Sequence, residues 1–154
     1  IKNTIQMTRK DQLEFMNNIF EKYARMLPPT NVFLGKLIQA LINRVSSNED
    51  LLRLHLSSEP CVRACFPPNH PAIAFHIRNV GIFLSNLDHY EEAIPYFEEA
   101  DRSLTSVLDA NHPLTTENRR LLNIALSKMQ DAKKRERFAN MSLEERRKII
   151  EEDI

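Results

Sequence analysis

Apolar residues recur along this chain at every third or fourth position, which is the spacing of an amphipathic α-helix. The first such stripe begins after Thr8 and ends at a Pro-Pro pair, and its members are Leu13, Met16, Phe20, Tyr23 and Leu27. A stripe of this kind places one face of a helix against a core and leaves the other face to solvent. Read along the whole chain, the pattern predicts an all-α fold of about seven helices.

Capping residues and prolines set the bounds of the predicted helices. The first helix covers the stripe just described, and the others are expected at about 31–44, 47–65, 71–86, 88–108, 113–137 and from 142 onward. Ser47 and Asp88 each precede an acidic residue by three positions, which is the spacing of a capping box, and Asn69 is expected to cap the 71–86 helix.

Two of these helices differ in how their apolar residues are distributed. The 71–86 helix is apolar nearly all round, so we expect it to lie inside the fold. The 88–108 helix has a single apolar stripe opposite glutamate pairs such as Glu98-Glu99. We expect it to be an outer helix whose glutamates are solvated.

The sequence also repeats itself with a period of 42 residues. Pro29, Pro71 and Pro113 are separated by that step. Apolar positions align over the same step, and the columns are Ile38 with Val80 and Leu122, Leu41 with Phe83 and Ala125, Ile42 with Leu84 and Leu126, and Val45 with Leu87 and Met129. The third repeat turns polar over 131–137, as expected of a last repeat that faces solvent. The period predicts an α-solenoid of antiparallel helical hairpins.

One repeat resembles the tetratricopeptide pattern, in which small residues let paired helices approach and an aromatic ring fills the gap. The residues that carry this resemblance are Val80-Gly81, Tyr90, Glu91-Glu92-Ala93, Phe97 and Ala100. The 42-residue step, with Asn-His-Pro at 69–71 and 111–113, is similar to two families with long repeats. These are the kinesin light chains and the C-terminal domain of the SET-and-MYND protein lysine methyltransferases.

The second family is the closer resemblance. Glu59-Pro60, Phe66-Pro67 and His70-Pro71 resemble a helix end and loop of its C-terminal domain, and the order of elements is similar from about residue 11 to 132. The resemblance implies a tetratricopeptide-like domain that packs on a catalytic core, shapes the substrate cleft and binds partner proteins. We therefore expect a repeat domain at 1–137 and a charged helix or tail at 138–154.

The resemblance does not extend to a catalytic apparatus. The family binds S-adenosylmethionine in its SET fold, and its MYND finger needs many zinc-binding cysteines, whereas this chain has two cysteines. It also has no Gly-rich phosphate loop and no nucleophile motif. We expect no enzyme activity and no cofactor in this chain. The alternative is a free-standing adaptor that recruits protein cargo or a chaperone through its concave groove.

Charge and cysteine content narrow the choice of partners and compartment. Lys plus Arg and Asp plus Glu each number 21. Because there is no basic surplus, we expect neither nucleic acid nor a membrane as partner. The small number of cysteines and the lack of a signal segment favour an intracellular location, cytoplasmic, nuclear or both. Because the chain begins at Ile1 without a methionine, we expect it to be a piece of a longer protein.

A row of basic residues is the main candidate for binding. Lys36, Arg78 and Arg120 recur at the 42-residue step, so each occupies the same position of three successive inner helices. With Phe75, Asn79 and Asn123 they form the predicted groove for an acidic peptide or a terminal carboxylate. The alternative is that these charges are solvated or paired within the chain.

The cysteines and histidines have simpler interpretations. Cys61 and Cys65 are one helical turn apart, but a structural zinc site usually has four ligands, so we predict no metal site. Cys65 shares a column with Val107 and is expected to be a buried small hydrophobe. Two further expectations are that His70 and His112 are loop or capping residues, and that His76 is exposed in the groove.

Overall fold

A computed structural model describes residues 8–142 of the chain. These residues form six helices and no strands: α1 (Arg9–Ala24), α2 (Val32–Ile42), α3 (Asn48–Cys65), α4 (Pro71–Asn86), α5 (Tyr90–Leu108) and α6 (Pro113–Asn140). The all-α prediction is confirmed for this part of the chain. The predicted seventh helix, from residue 142 onward, lies outside the described residues, and the proposed division at 137 and 138 stays a prediction.

Most helix starts follow their sequence signals. The Thr8 hydroxyl accepts from the Asp11 N–H, and the Asp11 carboxylate accepts from the Thr8 N–H, so α1 has a capping box. The Ser47 hydroxyl caps α3. At the starts of α4 and α6, Nδ1 of His70 and of His112 accepts the backbone N–H two residues later, at 3.1 and 3.2 Å. The expected capping role of both histidines is confirmed.

Two residues expected to be N-caps, Asn69 and Asp88, do not cap a helix. Asn69 has a φ of 64° and Asp88 a φ of 62°, so both have left-handed backbone conformations. An N-cap residue normally has extended backbone, which directs its side chain at the free N–H groups of the first turn. His70 takes that place for α4, while α5 begins at Tyr90 with no side-chain cap.

The core runs along the row of helices, and helices adjacent in sequence make the most extensive contacts. One cluster joins α1, α2 and α3 through Phe20, Leu34, Ile38, Leu41 and Leu54. A second cluster joins α4 to α5 through Ile73, Ala74, Ile77, Ala100 and Leu104. A third cluster joins α4 to α5 and α6 through Val80, Leu84, Ala93, Phe97 and Ala125. Because α4 contributes buried residues to both of these clusters, it is an inner helix, as expected.

Two glycines mark the closest approaches between helices. A Cβ on Gly81 would lie 3.0 to 3.2 Å from ring atoms of Phe97, so α5 packs its aromatic ring directly on the α4 backbone. A Cβ on Gly35 would lie 2.6 Å from the sulfur of Cys61. Both contacts need the missing side chain, because ordinary carbon contacts are longer.

Buried hydrogen bonds attach α6 to the stack. The fully buried amide of Asn118 donates from Nδ2 to the Phe97 carbonyl at 2.9 Å. The hydroxyl of Thr115, also fully buried, donates to the Asp109 carbonyl at 2.9 Å. From 131 to 140 all side chains of α6 are exposed, in keeping with their polar sequence.

No helix in the 8–142 region is both long enough and apolar enough to cross a membrane.

We expect Gly81→Ala to lower the free energy of unfolding by about 1–3 kcal/mol, because the new methyl group overpacks the contact with Phe97. Helix propensity acts in the opposite direction and would raise stability by about 1 kcal/mol. Urea denaturation followed by circular dichroism measures the difference. Phe97→Leu and the double variant are the controls, since removing the ring should relieve the overpacking. A more stable Gly81→Ala protein would contradict the close contact.

Candidate functional site

The strongest candidate site is a cleft of about 350 Å³ between α2, α3 and α4. Its lining combines apolar and polar side chains: Gln39, Ile42, His55, Val62, Phe66, Ala72, His76 and Asn79. A mixture of this kind is typical of binding sites, where apolar walls provide contact area and a few polar groups fix orientation.

A second groove, of about 360 Å³, lies between α1 and α2. It is lined almost entirely by apolar side chains: Ile19, Tyr23, Leu27, Phe33, Leu34 and Leu37. We favour the α2–α3–α4 cleft as the functional site because its polar groups can distinguish one ligand from another.

Two histidines form the most unusual part of the cleft. His55 on α3 and His76 on α4 are each only 8% exposed, and their ring centroids are 5.2 Å apart. Nδ1 of His55 and Nε2 of His76 are buried and have no hydrogen-bond partner among residues 8–142. Since buried polar atoms are nearly always paired in folded proteins, these two nitrogens are candidates for ligand contacts.

The electrostatic environment keeps both imidazoles neutral. Burial, together with a smaller effect from the neighbouring His76, lowers the pKa of His55 to about 4. Burial also lowers the pKa of His76, with a smaller effect from the charge of Arg63. A neutral imidazole has one N–H donor and one acceptor nitrogen, so the pair can both give and receive hydrogen bonds.

The expected exposure of His76 is wrong. The inner face of α4 packs on α3, and this packing buries the ring beside His55, whose ring also lies 5.2 Å from that of Phe83. His76 does line the cleft, but as a buried wall residue.

Among the predicted groove residues, Asn79 lines the cleft itself. Phe75 lies one helical turn earlier on α4 and is 39% exposed. Lys36 on α2 and Asn123 on α6 are exposed, and neither has a hydrogen bond or ion pair to another member of the set within the described region.

Arg120 forms an ion pair with the carboxylate of Glu117 on the same helix. Nε and Nη2 of Arg120 each donate to Glu117 at 2.8 Å. These hydrogen bonds lower the pKa of Glu117, and the charge of Arg78 contributes to the same effect. Arg78 is half-buried, and its Nε has no partner in the structure. Arg120 is thus paired within the chain, while the positive charge of Arg78 acts on the same carboxylate without a hydrogen bond to it among the described residues.

An ion-pair network centred on Arg63 lies close enough to His76 to affect its pKa. Arg63 donates to both oxygens of Glu99 at 2.7 and 2.9 Å, and its Nε donates to Glu59 at 2.8 Å. This network ties α3 to α5, and the hydrogen bonds from Arg63 lower the pKa of Glu99. The expectation that Glu99 is merely solvated is wrong, because a partner 36 residues away in the chain faces it.

Sequence reasoning missed His55, Val62 and Phe66 as cleft residues. The available signal was the position of His55 on the apolar stripe of α3, directly after Leu54. A histidine at such a position commonly belongs to the core, so the pattern alone does not distinguish a packing role from a ligand contact.

We expect the protein to lose stability as pH falls from about 6.5 to 4. His55 has a lower pKa in the folded than in the unfolded chain, so the unfolded chain binds more protons in this interval and is favoured. The contribution of His55 over this interval is about 2–3 kcal/mol. Urea midpoints measured at several pH values test this expectation.

Replacement of His55 by Leu should reduce the loss of stability in that pH interval. The exposed His89, replaced by Gln, is the control and should leave the pH dependence close to that of the unsubstituted chain. An identical pH dependence in His55→Leu and the unsubstituted chain would contradict the burial of a neutral imidazole.

Comparison with known proteins leaves the family of this chain open. No protein-family model matches the chain, and no curated protein matches it closely enough to count as a relative. Its likeness to the SET-and-MYND C-terminal domain therefore rests on the motifs described above.

Proposed function

We propose that this chain is a non-catalytic protein-interaction domain of the tetratricopeptide-like α-solenoid class, which binds a segment of a partner protein in the α2–α3–α4 cleft. The observation that carries the proposal is the pair of buried, unpartnered ring nitrogens of His55 and His76 within a partly apolar cleft. A peptide supplies both the amide groups and the side chains that such a cleft accommodates.

The positions of the helices support a 42-residue repeat. α5 begins 42 residues after α3, and α6 begins 42 residues after α4. All twelve members of the four aligned apolar columns are buried or half-buried. The first repeat differs at its start, because α2 begins at Val32 after an Asn31 cap rather than at Pro29.

The chemistry of the cleft favours a ligand with amide groups and one apolar side chain. Gln39 and Asn79 offer carboxamides, and the histidines offer a donor and an acceptor. Val62 and Phe66 provide an apolar wall. On this proposal, a backbone or side-chain amide binds the polar groups while an apolar residue contacts the wall.

Arg78 and Arg120 add a preference for acidic residues next to this contact. Glu117 now occupies part of the hydrogen-bonding capacity of Arg120. An acidic ligand must therefore compete with Glu117, which makes this carboxylate an internal substitute for the ligand.

We further propose that the chain is the C-terminal part of a SET-and-MYND-like protein lysine methyltransferase, located in the cytoplasm, the nucleus or both. The motifs around Pro60, Pro67 and Pro71 support this proposal, as does the Asn-His-Pro start shared by α4 and α6. The cleft then contacts a protein substrate, a partner or the catalytic domain of the same polypeptide, and S-adenosylmethionine binds elsewhere in that polypeptide.

A selection of random peptides displayed on phage, with the purified chain as target, tests the binding proposal. We expect enriched peptides to lose about fivefold in affinity for Asn79→Ala and for Gln39→Ala, since each change removes a hydrogen-bonding group worth about 1 kcal/mol. Fluorescence anisotropy with a labelled peptide measures the affinities.

Asn18→Ala and Gln130→Ala are the matched controls, because they remove exposed amides on α1 and α6. If the enriched peptides bind all four variants equally, the peptide-binding surface lies outside the cleft. A selection with no enrichment would argue against a peptide-binding function.

Glu117→Gln should raise the affinity for an acidic peptide by about threefold, because it removes a charge that competes for the arginines. The effect should shrink when the glutamates of the peptide are replaced by glutamines. Glu136→Gln, an exposed carboxylate farther along α6, is the control. Equal affinities for Glu117→Gln and the unsubstituted chain would show that Arg78 and Arg120 do not bind the acidic ligand.

Sequencing the full transcript tests the second part of the proposal. We expect an upstream SET fold with a MYND cysteine cluster. An open reading frame without these motifs would favour a free-standing adaptor, and turnover by the isolated chain would contradict the non-catalytic assignment.

A further inference from the structure

Cys61 and Cys65 form a close pair of thiols in the last turn of α3. Their sulfur atoms are 3.8 Å apart. Cys61 is buried, whereas Cys65 is exposed, the reverse of the small-hydrophobe role expected for Cys65. These are the two cysteines of the chain. The pair therefore has one fixed sulfur and one sulfur open to solvent.

The backbone of α2 holds the buried sulfur in place. Cys61 Sγ lies in the space that a side chain at residue 35 would occupy, 2.6 Å from the position of a Cβ on Gly35. The same sulfur is 3.6 Å from the Asn31 carbonyl oxygen. These contacts keep Cys61 directed along the α2–α3 interface, one helical turn from Cys65.

The geometry suits an atom that bonds both sulfurs better than it suits a disulfide. Helical residues four positions apart have Cβ atoms about 5–6 Å apart, whereas a disulfide needs about 3.5–4.5 Å. Two sulfurs bonded to one centre at about 2.3 Å are separated by about 3.4–3.8 Å for bond angles of about 95–110°, close to the distance between these two thiols. A bridging atom therefore fits the pair without unwinding the helix.

The coordination number selects the kind of bridging atom. Structural zinc usually takes four protein ligands, and the described residues hold no cluster of three or more Cys, His, Asp or Glu that could bind a metal. Trivalent arsenic forms three bonds, so two protein sulfurs and one substituent of its own complete its valence.

We propose that Cys61 and Cys65 form a bidentate site for a monosubstituted trivalent arsenical. The exposed Cys65 sulfur bonds to arsenic first, and Cys61 closes the chelate. Two S–H bonds and the bonds from arsenic to oxygen break, two As–S bonds form, and both protons leave with the oxygen as water. No oxidant or reductant takes part. The site is separate from the α2–α3–α4 cleft and does not depend on the proposed function.

Phenylarsine oxide is the probe for this site. We expect intact-mass spectrometry of the folded chain to show one phenylarsenic group per molecule, retained in excess glutathione and removed by dithiothreitol. Retention against a monothiol distinguishes a chelate from a single As–S bond. Cys61→Ser and Cys65→Ser should each lose the adduct in glutathione at least tenfold faster.

A relocated thiol tests whether the helix supplies the geometry. Arg63→Cys with Cys65→Ser keeps two cysteines close in sequence, but residues two positions apart do not face each other on a helix. In native buffer this double variant should release arsenic at least tenfold faster than the unsubstituted chain, and in urea the difference should disappear. Circular dichroism verifies that each variant folds.

Equal retention by the double variant and the unsubstituted chain in native buffer would overturn the proposal, because proximity in sequence would then suffice. Binding of two arsenicals per chain, or release from the unsubstituted chain by glutathione, would also overturn it. Release that is faster from the double variant than from the unsubstituted chain in native buffer, but not in urea, would support a thiol pair preformed by the helix.

Discussion

The contact between Gly81 and Phe97 is the constraint on which the C-terminal half of the structure depends. The absence of a side chain at residue 81 lets the ring of Phe97 rest on the α4 backbone, and the ring is 1% exposed. Full burial of a side chain of this size contributes about 2–3 kcal/mol. The backbone carbonyl of Phe97 also accepts a hydrogen bond from the side-chain amide of Asn118 on α6. Phe97 of α5 therefore contacts both neighbouring helices, α4 and α6. A change at this point affects the placement of α4, α5 and α6 together.

The cleft depends on this arrangement, although it lies on the other side of α4. His76 and Asn79 can line the cleft only if α4 presents that face to α3, and the packing of Gly81 and Phe97 fixes the rotation of α4. Arg63 adds a polar tie between α3 and α5 through its two-point contact with Glu99. The result is a site in which polar atoms are held in position before any ligand arrives, which reduces the entropy cost of binding.

The charges of the chain illustrate why net charge says little about individual sites. Positive and negative residues balance overall, yet the structure pairs Arg120 with Glu117 and leaves Lys36 exposed on α2. Exposed pairs of this kind are weak in water, so the acidic ligand proposed above would replace the internal partner at little cost. The same pairing also shows that a regular spacing of basic residues in the sequence does not by itself make a continuous basic surface.

The sequence by itself determined the helices, because their signals are local: the 3.6-residue period of the apolar positions, the Thr8 and Ser47 caps and the prolines that open α4 and α6. It also indicated the inner position of α4 through its apolar composition. The tertiary structure alone decided that His55 and His76 are buried together, that Cys61 rather than Cys65 is covered, and that Arg63 meets Glu99. Each of these depends on the rotation of one helix about its axis relative to the next. That rotation is set by the close packing of side chains from residues far apart in the chain, which the apolar period does not specify.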